Sequence, residues 1–124
     1  IERWTDNMKI IRLKEVPLEE RGGYQIKRIV TEKLNFEPAN VGIYKTIIPP
    51  GSKCPNHAHG QLDEILFFLS RAKVDTKEGM LKFEKGDFLV IQPGEFHEII
   101  AEDQEVSLIA LKLPNHIKDR LDPK

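Results

Sequence analysis

Turn-forming residues interrupt this chain at nearly regular intervals, and that rhythm constrains its fold more than any other feature. Gly22-Gly23, Pro38-Ala39-Asn40, Pro49-Pro50-Gly51, Gly60, Ser70-Arg71, Glu78-Gly79, Lys85-Gly86 and Pro93-Gly94 fall mostly about 8 to 12 residues apart. The segments between them are rich in isoleucine, valine and phenylalanine, whose branched and aromatic side chains suit a pleated surface. The pattern predicts strands over Met8–Leu13, Tyr24–Thr31, Val41–Ile48, Glu64–Leu69, Lys73–Asp75, Met80–Glu84, Phe88–Ile91, Glu98–Ala101 and Val106–Leu113. This is the spacing of an all-β sandwich or barrel. One short helix is expected over Asn115–Leu121, where Ile117 and Leu121 lie four apart and Asp122-Pro123 ends the run. It would cap the barrel.

Within this framework the histidines are unevenly placed. His57 and His59 are two residues apart, and in an extended strand that spacing puts both side chains on one face, with alpha carbons roughly 6.5 to 7 Å apart. Both imidazoles can converge on one ion. Gly60-Gln61-Leu62-Asp63 follows, a short stretch that can reverse the chain and return Glu64 beside the pair on a neighbouring strand, so that one hairpin supplies three ligands. The fourth comes from the segment Gly86–His97, in which an apolar strand ends in Pro93-Gly94 before His97. Proline then glycine suits the central positions of a type II turn.

These spacings resemble the cupins, small single-domain β-barrel proteins with two glycine-led motifs. The first motif corresponds to Gly51, His57, His59 and Glu64 within residues 51–71, and the second to Gly86, Asp87, Pro93, Gly94 and His97 within residues 86–101. The resemblance spans about residues 24–113 and implies a double-stranded β-helix, or jelly-roll-like barrel, with His57, His59, Glu64 and His97 as metal ligands. The chain departs from the family pattern at Arg71, where a glycine is usual, at Gln92 in place of a proline, and at Ala101 in place of an asparagine. None of the three is a ligand position, so turn geometry and pocket lining are affected rather than metal binding. Residues 8–124 are expected to form one domain; if Met8 is the native start, residues 1–7 are an upstream extension or cloning remnant.

Other residues compete for roles. Asp63 is the rival of Glu64 for the carboxylate position, its alternative being an ordinary turn acid. His116 lies outside both motifs in a polar tail and reads as exposed. Cys54 is either a redox or supporting group near the site or, more commonly for such a cysteine, a small buried apolar residue. Tyr44, Lys45 and Arg28 lie on strands that can line a pocket, but both faces of Val41–Ile48 carry apolar residues, so their direction is open. The alternative for each is a solvated or rim position.

Composition narrows the partners. With 124 residues and 40% hydrophobic content the chain suits a single core. A net charge of -1, from 19 basic and 20 acidic residues, gives no electrostatic reason to bind nucleic acid or an anionic membrane. No apolar run approaches the roughly 18 residues of a membrane span. The single cysteine forms no internal disulfide, and Ile1–Asn7 lacks the apolar segment of a signal peptide, so a cytoplasmic location is expected. A charged fraction of 31%, rich in lysine and glutamate, is of a kind seen in heat-tolerant proteins. Ile65–Leu69 is apolar at every position, so both its faces need cover, from an N-terminal strand, a second subunit in a homodimer, or the subunit's own core.

A shell of three histidines and one carboxylate suits a divalent transition metal such as iron, manganese, zinc or nickel, and leaves positions for a small-molecule oxygen. The leading expectation is a metal-dependent enzyme acting on a small oxygen-rich molecule by dioxygenase-type or sugar-isomerase-type chemistry. A noncatalytic module that binds a metal or small ligand, and a barrel stabilised by a closed zinc site, are the alternatives.

Overall fold

In a computed structural model of the chain, which describes residues 13–30, 41–116 and 118–124, a 3-10 turn at Leu13–Glu15 precedes the strands. These are β1 (Glu19–Glu20), β2 (Gln25–Val30), β3 (Gly42–Ile48), β4 (Lys53–His59), β5 (Asp63–Phe68), β6 (Ala72–Thr76), β7 (Gly79–Phe83), β8 (Phe88–Ile91), β9 (His97–Ile100), β10 (Val106–Leu113) and β11 (Arg120–Leu121). They form two antiparallel sheets, one ordered β1-β2-β3-β10-β5-β8 and the other β11-β4-β9-β6-β7. Chain-consecutive strands often lie in different sheets, which gives the sandwich its jelly-roll-like winding.

Period-two alternation decides what faces inward. Along β10, Val106, Leu108 and Ala110 are buried and the residues between them are half-buried, and β3 and β5 alternate in the same way. Cross-strand registers join these inner rows: Ile48 opposes Val106, Leu108 opposes Phe68, and Ala110 opposes both Tyr44 and Leu66. One end of the interior is therefore dry. Phe68 is fully buried there and stacks on Phe83 from the facing sheet, ring centroids 4.5 Å apart, each such burial contributing about 2 to 3 kcal/mol. One step beyond Ala110 and Leu66, the same inner row reaches Lys112 opposite Glu64. Polarity thus enters at the other end of the interior.

The outer row of β5 holds Ile65 and Phe67, both half-buried. Their neighbours in register are Leu111 and Ile109 on β10 and Val90 and Phe88 on β8, with Phe67 and Phe88 stacked at 4.6 Å. The all-apolar run is thus explained in part within the subunit: its inner face is core, and its outer face belongs to an apolar patch spread over three strands.

Two expectations are revised, and a third falls outside the described residues. Residues Asn115–Leu121 form no helix in their described part; Arg120 and Leu121 instead pair with His59 and Ala58 as β11. Tertiary bonds outweigh the weak local helical signal: the Asp119 carboxylate accepts hydrogen bonds from the backbone N–H groups of Gly60 (2.9 Å) and Gln61 (2.6 Å). Nor do β4 and β5 form a hairpin. Residues 60–62 carry the chain from one sheet to the other. The predicted strand at Met8–Leu13 lies outside the described residues apart from Leu13, which sits in the 3-10 turn, and residues 1–7 also lie outside them.

Candidate metal centre

His57 and His59 share the inner face of β4, as their spacing requires, and both are buried. Their strand, however, is irregular. Cys54 opposes Ile99 on β9 and His57 opposes His97, so three residues on β4 span two on β9. This bulge at Pro55-Asn56 lets Cys54 and His57, an odd number apart, both face inward. It also turns the Pro55 carbonyl towards the His57 ring, whose Nδ1 lies 2.8 Å from that oxygen.

His97 opens β9 directly after a tight turn. The Glu95 N–H donates to the Gln92 carbonyl at 3.2 Å, and Gly94 has φ +83°, as a type II turn over Gln92–Glu95 requires. The Gly94 N–H donates to the His59 carbonyl at 2.7 Å, tying this turn to β4. Glu64 arrives from the opposite sheet, buried on the inner row of β5, with Lys112 and Ile91 beside it in register. The four side chains therefore close on one point from both layers of the sandwich: one potential ligand atom from each lies within 4.8 Å of the others.

Each imidazole is oriented by a backbone carbonyl: His57 Nδ1 by Pro55 (2.8 Å), His59 Nδ1 by Asp119 (3.0 Å) and His97 Nδ1 by Glu95 (3.1 Å). A carbonyl oxygen only accepts, so in these bonds Nδ1 carries the proton and the neutral ring presents the Nε2 lone pair to the site. The Glu64 Oε1 lies 3.3 Å from His97 Nε2 and 3.6 Å from His59 Nε2. In that tautomer all these groups are acceptors, and the buried Nε2 atoms of His59 and His97 have no hydrogen-bond partner. A cation among them would satisfy every group at once, and the donor set of imidazole and carboxylate fits a divalent transition ion. The protonation states agree. Burial, then the adjacent His97, holds the His57 imidazole down to about 4. Burial raises the Glu64 carboxyl; only positive charge or an Nε2 proton at the His59 and His97 rings outweighs this and brings the group well below the usual carboxylate range, the place a bound cation would take.

His57, Glu64 and His97 also line a cavity of about 160 Å³ between the sheets. Its apolar walls include Leu66, Leu108 and Ile99, and its polar walls include Tyr24, Tyr44, Arg28 and Lys112. Of the residues with open direction, Tyr44 and Arg28 face this cavity, whereas Lys45 falls on the outer row of β3. Asp63 is exposed, one residue out of phase with buried Glu64, and takes no part. His116 is exposed. Cys54 lines the cavity as a buried free thiol, and burial raises it to about 11, which leaves it protonated and unreactive. Lys112, Tyr24 and Arg21 were not singled out by sequence. Parity along β10 places Lys112 in the row of Val106, Leu108 and Ala110, a signal visible only once the buried face of that strand is known.

No family model matches the sequence, and no curated protein matches it by sequence. Solved structures match it in fold. The polyketide cyclase RemF from Streptomyces resistomycificus superposes with a TM-score of 0.77 at 15% identity, covering 95% of this chain and 87% of its own. A predicted oxalate decarboxylase from Thermotoga maritima gives 0.71 at 16% identity, covering 84% and 97%. A Cupin 2 conserved barrel domain protein from Salinispora arenicola gives 0.70 at 20% identity, covering 86% and 89%. The chain therefore has the fold of cupin-superfamily proteins, some of which are described as enzymes.

Proposed function

We propose that this cupin-fold chain is a metal-dependent enzyme in which His57, His59, Glu64 and His97 hold one divalent transition metal ion beside a cavity for a small oxygen-rich molecule. The observation that carries this reading is the set of three Nδ1-to-carbonyl hydrogen bonds, which aim the Nε2 lone pairs at one buried point beside the Glu64 carboxylate. Iron, manganese, zinc and nickel all suit the donors. Such an ion supplies a Lewis acid for isomerase-type chemistry or, as iron or manganese, a centre for dioxygenase-type chemistry.

The chain's own part is to orient and to exclude water. Pro55, Glu95 and Asp119 carbonyls fix the ring planes, and Leu66, Leu108 and Ile99 give the cavity a low-dielectric floor. That three of the four ligands border the cavity favours an open, reactive site over a closed zinc site that serves only stability. The fold of a polyketide cyclase and of a predicted oxalate decarboxylase lends the enzymatic reading support, although fold by itself does not determine chemistry.

The chain is further read as a cytoplasmic homodimer. Among the described residues no helix is long and apolar enough to cross a membrane. Phe88 (61% exposed) and Val90 (59% exposed) extend the outer patch of β5 to a sheet edge suited to a second copy. Only monomer in sedimentation equilibrium at high concentration refutes the dimer.

Elemental analysis of protein purified without added metal or a nickel column tests the central claim, with about one transition ion per chain expected. No bound metal, or full retention in a His57→Ala, His97→Ala double variant, overturns it. Oxygen uptake with a panel of small acids and sugars, with and without ferrous iron, then separates the oxidative branch from the isomerase branch.

A further inference from the structure

Lys112 occupies an inner-row position where a buried apolar residue is the rule. Its Cα partners are Glu64 on β5 and Gly42 on β3, and directly opposed residues of antiparallel strands share a face. Its ammonium lies 4.8 Å from the centroid of the Tyr44 ring, which also carries the Arg28 guanidinium at 5.5 Å. Gly42 makes this arrangement possible, since a Cβ there would stand 2.7 Å from the Tyr44 ring.

The charges of the cavity do not balance. Arg28 is paired with Glu19 at 2.7 Å, but among the described residues neither Lys112 nor Arg21 has a carboxylate oxygen within 4.0 Å, Glu64 and Glu19 acting on them only at longer range. Glu64 is the one acidic group among the cavity's described lining residues, and in the metal reading its charge is engaged by the ion. Burial disfavours the Lys112 ammonium and Glu64 favours it, while Arg21 and Arg28 act against it. A half-enclosed cation among like charges lacks an anion.

We infer that the cavity takes a small carboxylate, its anionic end held by Lys112 with Arg21 at the mouth and another oxygen turned towards the histidine-glutamate cluster. This rests on the metal reading above. Size agrees: a cavity of about 150 Å³ holds a molecule as large as benzene, so the 160 Å³ here accommodates a short hydroxy or oxo acid. The ammonium supplies a point charge, and enclosure between the sheets strengthens its attraction for the anion relative to water.

The test uses the full chain loaded with zinc, which is redox-silent, and calorimetric titration with glycolate and its neutral isostere glycolamide. Glycolate is expected to bind at least tenfold more tightly, with an affinity that falls as salt rises while that of glycolamide does not. Lys112→Met should lose about tenfold in glycolate affinity while holding one zinc per chain, and Lys112→Arg should restore most of it. If Lys112→Met does not fold, the salt dependence of the wild type and the Lys112→Gln variant decide the matter. Equal binding of the two ligands, salt-independent glycolate binding, or unchanged glycolate affinity without the Lys112 charge overturns the inference and leaves the metal site standing. A wild type that takes up no zinc overturns the metal reading, and this inference with it.

Discussion

His57 and His97 are direct cross-strand partners on β4 and β9, with ring centroids 4.4 Å apart and planes inclined at 53°. Two imidazoles this close and this dry cannot both be charged without a large penalty, so the site is built for neutral rings and a cation from outside.

The first prediction concerns acid. His57 has a folded value of about 4 against an ordinary 6.5, so between those values the unfolded chain binds more protons than the folded one. Its contribution is fully present above about pH 6.5 and is lost as pH falls towards 4, amounting to roughly 3 kcal/mol. Urea unfolding of metal-free protein from pH 8 to pH 4 should show stability declining from near 6.5. A flat profile from pH 7 to 5 would contradict the neutral-ring site.

Exchanging Glu64 for glutamine should separate stability from metal binding. At pH 8 the neutral rings face a carboxylate that can only accept, whereas a glutamine amide can donate to the orphaned Nε2 of His97 or His59. Metal-free Glu64→Gln should therefore be about 1 kcal/mol more stable than the metal-free wild type, yet bind zinc far more weakly. A less stable variant would show that the carboxylate is satisfied without metal.

Gly94→Ala tests the turn that delivers His97. Nothing lies within 4 Å of an added Cβ, so the cost is purely the left-handed backbone at φ +83°, about 1 to 2 kcal/mol. If the turn relaxes, the link from Gly94 to the His59 carbonyl loosens as well. Melting temperature and zinc affinity should fall together, and neutral behaviour in both would refute the coupling.

Asp119 joins the C-terminal segment to the site. Its carboxylate accepts from Gly60 and Gln61 while its carbonyl orients His59. Asp119→Ala leaves two N–H donors without their partner, at about 1 to 3 kcal/mol, and slackens a ligand's hydrogen bond, at about 10- to 100-fold in metal affinity. Asp119→Asn, which keeps an oxygen acceptor, should lose less. Calorimetric zinc binding by both variants checks the order.

Much of this was legible in the chain itself. Spacing by two predicted that His57 and His59 share a face, Pro93-Gly94 predicted a type II turn before His97, and the strands Phe88–Ile91 and Val106–Leu113 stand where periodicity put them. These are consequences of local geometry, in which each residue constrains only its near neighbours. Which sheet a strand joins is decided by register with residues far away, and there the sequence is silent. Hence Glu64 reaches the histidines across the sandwich rather than around a hairpin, and Arg120–Leu121 becomes a strand because Asp119 finds the amides of Gly60 and Gln61. A bulge at Pro55-Asn56 and the inward Lys112 follow the same rule, since a one-residue change of register sends a side chain to the opposite face.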